Sequence, residues 1–140
     1  MPLFGRSDAP STPLDRRLLA QLPANDKELR KILEREAAAI AAVLDVDDEV
    51  TFLCHSESTH ATSVDYYAAI VVTTDSLLVV RKGRTMELFR HEIRDVSKSY
   101  DTATDAFLCV AVARTGRCAV HIRDDERARD FVTALGYPLF

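Results

Sequence analysis

The residues best equipped for chemistry are four histidines, three cysteines, two acidic runs and one cationic turn. His55 and His60 flank Ser56 and Ser58, residue types that serve as metal ligands or as a base beside a hydroxyl nucleophile. They fall on a strand end and a loop, without fixed spacing to a third ligand or an orienting carboxylate, so a structural or solvated role is expected. His91-Glu92 lacks the second histidine, one helical turn on, of a zinc protease, and His121 lies on the strand face opposite Cys118, Val120 and Ile122. Asp47-Asp48-Glu49 and Asp124-Asp125-Glu126 begin predicted elements, where capping explains them better than calcium, since neither has the alternating oxygen ligands and glycine of a calcium loop. No catalytic residue, metal set or cofactor motif emerges, and a non-enzymatic chain is expected.

Cys54, Cys109 and Cys118 are an odd set without a Cys-x-x-Cys pair. With a turn at Thr115-Gly116, Cys109 falls opposite Ile122 and Ala113 opposite Cys118. The two thiols then share a face but stand roughly 13 Å apart at ~3.3 Å per residue. A disulfide needs α-carbons within about 7 Å, so three buried, reduced thiols are expected.

The cationic turn is Arg81-Lys82-Gly83-Arg84, with Arg81 and Arg84 facing each other across a hairpin. Such a tip keeps an edge soluble and also offers a site for an anion or acidic partner, weak contact with an anionic membrane included. The first loop, Ser56 to Ser63, carries no Lys or Arg, which speaks against phosphoinositide recognition there. A formal net charge of −4 argues against nucleic-acid binding by bulk electrostatics. The start, Met1-Pro2-Leu3-Phe4-Gly5-Arg6, lacks a secretory pattern and the apolar runs are only strand-sized, so a cytoplasmic location is expected.

These residues must be positioned by a mainly β chain of 140 residues. Residues 1–25 hold four of the five prolines and read as a flexible leader with one helical turn at Leu14 to Leu22. Residues 26–45 read as a helix capped by Asn25 or Asp26, its stripe formed by Leu29, Ile32, Leu33, Ala37, Ile40, Val43 and Leu44. Residues 46–140 read as seven antiparallel strands, near 49–56, 65–73, 76–81, 84–90, 92–100, 106–114 and 117–123, and a final helix. Asp124 or Asp125 caps that helix, Ala128, Phe131, Val132 and Leu135 share its face, and Gly136 and Pro138 end it.

Two-residue turns at Thr74-Asp75 and Lys82-Gly83 put Tyr66, Ala68, Ile70, Val72, Leu77, Val79, Met86 and Leu88 on a core face. The other face collects Tyr67, Ala69, Val71, Leu78 and Val80, beside Thr85 and Glu87. A sheet with one wet face should alternate apolar with polar, so something covers this one. The helix 26–44 and a second subunit are the two candidates.

The order of a Val-Thr-Thr-Asp-x-Leu turn, a Lys-Gly turn, His-Glu-Ile-x-Asp-Val, a Thr-Gly turn and a capped helix resembles bacterial pleckstrin-homology-like domains, the YokE-like group especially, and is similar to GRAM domains. The residues that carry the likeness are Thr74, Asp75, Leu77, Ile93, Val96, Gly116, Phe131 and Leu135. Ser76 stands where such domains often have a basic residue. The resemblance spans about residues 47–136 and implies a seven-stranded antiparallel barrel or sandwich capped by the C-terminal helix, here with an added N-terminal amphipathic helix. It also implies no catalysis and no cofactor, and a role in protein–protein contact or self-assembly into a homo-oligomer. The expected contact face is Tyr67, Val71, Leu78 and Val80, with Arg81, Lys82 and Arg84 as the alternative, anionic-lipid-binding tip.

Overall fold

The computed structural model describes residues 13–56 and 67–137. Two helices come first, α1 (Arg16–Gln21) and α2 (Lys27–Val43), then strands β1 (Val50–Ser56), β2 (Ala68–Thr73), β3 (Ser76–Arg81) and β4 (Arg84–Phe89). A 3-10 turn, Arg90–Glu92, leads to β5 (Ile93–Asp101), β6 (Ala106–Ala113), β7 (Gly116–Ile122) and α3 (Asp125–Ala134). The strands form two antiparallel meanders, β1-β2-β3-β4 and β5-β6-β7.

Local chemistry sets the boundaries. The Asp26 carboxylate accepts from the Leu29 N–H at 3.0 Å and Asp124 from the Glu126 N–H at 2.9 Å, so each helix starts at its aspartate cap. At the end of α3, Gly136 adopts φ +87°, its N–H bonding to Thr133 O and that of Tyr137 to Val132 O. This pair of bonds is the left-handed helix stop that glycine makes cheaply. Thr73 Oγ1 accepts from the N–H groups of Asp75 and Ser76, which pins the turn between β2 and β3.

Of the expected barrel or sandwich, the described residues form the sandwich and not a closed barrel. The 3-10 turn at Arg90–Glu92 breaks the chain between β4 and β5, and no ladder joins one sheet to the other. Strand β7 instead lies against both outer strands of the first sheet: the His121 N–H reaches Ser56 Oγ on β1, and the Thr115-Gly116-Arg117 end borders a groove along β4. A strand placed across a sheet cannot share its hydrogen-bond direction, so the assembly stays a two-sheet sandwich with an open edge.

Two cores flank the first sheet. Between the sheets, Phe52, Ile70, Val72, Leu77 and Leu88 meet Cys109, Cys118, Val120 and Ile122, with Phe131, Val132 and Leu135 of α3 filling one end. On the far side, Leu29, Ile32, Leu33 and Ile40 of α2 and Leu18 of α1 cover Leu53, Tyr67, Ala69, Val71, Leu78 and Val80. The β-bulge between Val50 and Phe52 lets both Val50 and Leu53 face the helices while Phe52 and Cys54 face inward.

One expectation of register and one of burial need correction. The last hairpin turns at Arg114-Thr115, pairing Ala113 with Gly116, Ala111 with Cys118 and Cys109 with Val120. The shift keeps both cysteines on the core face but brings them two residues closer along the ladder; all three thiols are free and buried. Met86, expected in the core, is 47% exposed because it sits on the edge strand beyond the cover of the second sheet. Tyr66 and Pro138 lie outside the described residues.

Candidate binding site

The tip of the β3–β4 hairpin is built as predicted. Arg81 pairs with Arg84, and Lys82 and Gly83 take φ 52° and 78°, the left-handed pair a two-residue turn requires. Successive N–H groups in such a turn point the same way and attract an anion. That anion is already supplied from within the chain. Glu36 of α2, 1% exposed, accepts from the Lys82 N–H at 2.6 Å and the Gly83 N–H at 2.8 Å, while Arg35 Nε donates to it at 2.7 Å. Burial pushes the Glu36 carboxyl up, but the Gly83 N–H, the Arg35 guanidinium and the Lys82 N–H outweigh it and hold the group below the usual carboxylate range. Arg35 Nη2 also donates to Tyr67 O at 2.5 Å, so one ion pair ties α2 to both the residue before β2 and the hairpin tip. The side chains of Arg81 and Arg84 remain exposed on the surface.

Glu36 is the residue that sequence reasoning missed. Its signal is visible: Ile32, Leu33, Glu36, Ala37 and Ile40 form one stripe, and a carboxylate on an apolar stripe needs a partner.

The predicted contact face is interior. Tyr67, Val71, Leu78 and Val80 are 6%, 0%, 1% and 0% exposed, sealed by α1 and α2. The helix is therefore the cover, and these four residues offer no surface to a partner.

Among the described residues large apolar side chains are exposed at Leu19, Val46, Tyr100 and Val112 and, on one edge strand, at Met86 and Phe89, 47% and 45% exposed on β4. Grooves run along both sides of this strand. One, of about 500 Å³, lies between β4 and the β6–β7 turn, lined by Met86, Leu88, Glu92 and Arg117. The other, of about 340 Å³, lies towards the end of α2, lined by Val43, Asp45, Asp48, Asp75, Glu87 and Phe89. A third cleft, of about 480 Å³, separates the α1–α2 connection from the start of α3; Asp26, Glu28 and Asp124 face Arg123 and Arg127 in it, beside Cys54 and His55.

The residues singled out for chemistry do not converge. His55 stacks on Tyr67 with ring centroids 5.4 Å apart, and His121 Nε2 lies 3.4 Å from Asp101 Oδ2. His91 packs on Phe89 at 6.0 Å. Ser56 Oγ accepts from the His121 N–H, whereas Ser58, His60 and the rest of the first loop lie outside the described residues. Burial raises all three thiols, Cys109 to about 12 and Cys118 to about 11, and Cys54 furthest, so none carries an appreciable thiolate population near neutrality. Among the described residues no three His, Cys, Asp or Glu side chains are placed to hold a metal ion, and no helix is long and apolar enough to cross a membrane.

Compared with known proteins, the chain matches no family model and no curated sequence. The surface of the molecule therefore carries the functional argument.

Proposed function

We propose that this chain is a non-catalytic binding domain of the pleckstrin-homology-like kind that works by contact with another protein. The observation that carries the reading is the open edge of the first sheet, where β4 exposes Met86 and Phe89 beside two grooves. Exposed apolar side chains on an edge strand with one free side are costly to leave bare and are a common basis for protein contact. Assembly through Tyr67, Val71, Leu78 and Val80 has no surface to use, because α2 occupies it.

The alternative is peripheral attachment to an anionic membrane through Arg81, Lys82 and Arg84. Their charge favours it, but the amide nest beneath them is filled by Glu36, which leaves side chains alone to hold a phosphate. A photo-crosslinking residue placed at Met86, and separately at Arg81, in the full-length protein inside its native cells tests both. Discrete protein adducts from position 86 support the proposal. Silence at 86, combined with lipid adducts from 81 and salt-sensitive co-sedimentation with phosphatidylserine vesicles that R81E/R84E abolishes, replaces it with the membrane reading.

A further inference from the structure

We infer that β4 is a docking strand for an extended peptide that alternates apolar and basic residues. The inference rests on the protein-contact reading and names the partner's chemistry.

The backbone sets the mode. In the two-residue hairpin, Arg81 and Arg84 form the hydrogen-bonded pair next to the turn, so Val79/Met86 and Leu77/Leu88 are the further bonded pairs. Thr85, Glu87 and Phe89 then direct their N–H and C=O groups away from β3, and no other described strand pairs with them. A strand of six residues presents this free edge. An added strand completes such a ladder by main-chain bonds, with specificity left to pockets for alternate side chains.

The two grooves supply those pockets, and they differ. Successive side chains of an added strand point to opposite faces of the sheet. On the inner side they meet Met86 and Leu88, with Glu92 and Arg117 where the groove reaches the β6–β7 turn. On the outer side they meet Asp45, Asp48, Asp75 and Glu87 around Phe89. The cations near that side offset only part of its charge, Arg17 acting on Asp48. The Arg17 guanidinium is committed to Asp15 and to the carbonyls of Asp45 and Asp48, and Arg90 to the carbonyls of Thr73 and Thr74. The ion pairs among the described residues engage none of Asp45, Asp75 and Glu87. Glu87 accepts instead from the Ser76 hydroxyl, which holds it at the rim. A peptide fits when its inward residues are apolar and its outward residues are Lys or Arg.

The probe is an end-blocked Lys-Val-Lys-Val-Lys-Val-Lys peptide, titrated into the full-length protein alongside a block isomer (four lysines, then three valines) and a Glu-for-Lys version. Amide exchange at Thr85, Glu87 and Phe89 is followed at the same time. The alternating peptide is expected to bind and slow exchange at those three amides, the block isomer and the acidic version to bind weakly. Thr85→Pro, which removes an outward N–H without touching the β3 ladder, and Glu87→Gln should each weaken binding roughly tenfold. Binding without amide protection, or equal binding by the block isomer, reduces the site to a sticky acidic surface and overturns the inference. So does a concentration-dependent dimer of the free protein with those amides already protected, which would assign the edge to a second copy. Crosslinked protein adducts at position 86 with no peptide binding would leave the protein-contact reading standing and remove only strand addition.

Discussion

Glu36 shows how a single side chain settles what a surface can do. Its carboxylate fills the one backbone nest at the cationic tip, so the turn that looks like an anion site is internally satisfied. Replacing the carboxylate by an amide keeps one acceptor oxygen but turns the other into an NH2 that faces an N–H donor, and it takes the counter-charge from the Arg35 guanidinium. Glu36→Gln should therefore cost about 3 kcal/mol in denaturant unfolding at neutral pH. The folded carboxyl titrates below its unfolded value, so its contribution is present above about pH 4.3 and is lost as the pH falls from there towards the folded value. The wild-type protein should lose stability through that acid window, and the glutamine variant should lose less; parallel pH profiles would refute the assignment.

Elements here are held by side-chain to backbone bonds as much as by propensity. Helix α1 has only six residues, too short to persist alone. Leu18 is 1% exposed, and the Arg17 guanidinium bonds Asp45 O and Asp48 O at 2.7 Å each, with Asp15 gripping it from behind. A planar fork can serve two carbonyls and a carboxylate at once, which an ammonium cannot reproduce. Arg17→Lys should consequently behave like Arg17→Ala, both accelerating amide exchange in α1 while leaving β6 unchanged; retention of slow exchange in the lysine variant would show that charge alone suffices. The turn that ends α3 and the aspartate caps of α2 and α3 were readable in advance, because they depend on residues within one helical turn of each other. The last hairpin turns one residue before the Thr115-Gly116 pair that the sequence suggests, because the local residues allow either turn and only the ladder chooses.

At the scale of the molecule the first sheet is the middle layer, with helices on one side and the second sheet on the other. The N-terminal helices are therefore part of the folded body. Deleting residues 1–44 uncovers Tyr67, Val71, Leu78 and Val80, each worth about 1.5–3 kcal/mol when fully buried. Such a fragment should bind a hydrophobic dye and self-associate by light scattering, while the intact protein does neither through that face. A monodisperse, dye-silent fragment would show that the sheet tolerates exposure.

The sequence by itself determined the strands, their parity, the turns of the first sheet and each helix start to within one residue, because each is written in neighbours a few residues apart. It also announced that the outer face of the first sheet was too apolar for water. Only the tertiary structure decided that α2 covers it, that the sheets stay open at β4, and that Glu36 occupies the hairpin tip. Those outcomes join groups up to 47 residues apart, as Glu36 and Gly83 are, and depend on how one sheet crosses another. Periodicity along the chain fixes which way a side chain points but not what it meets.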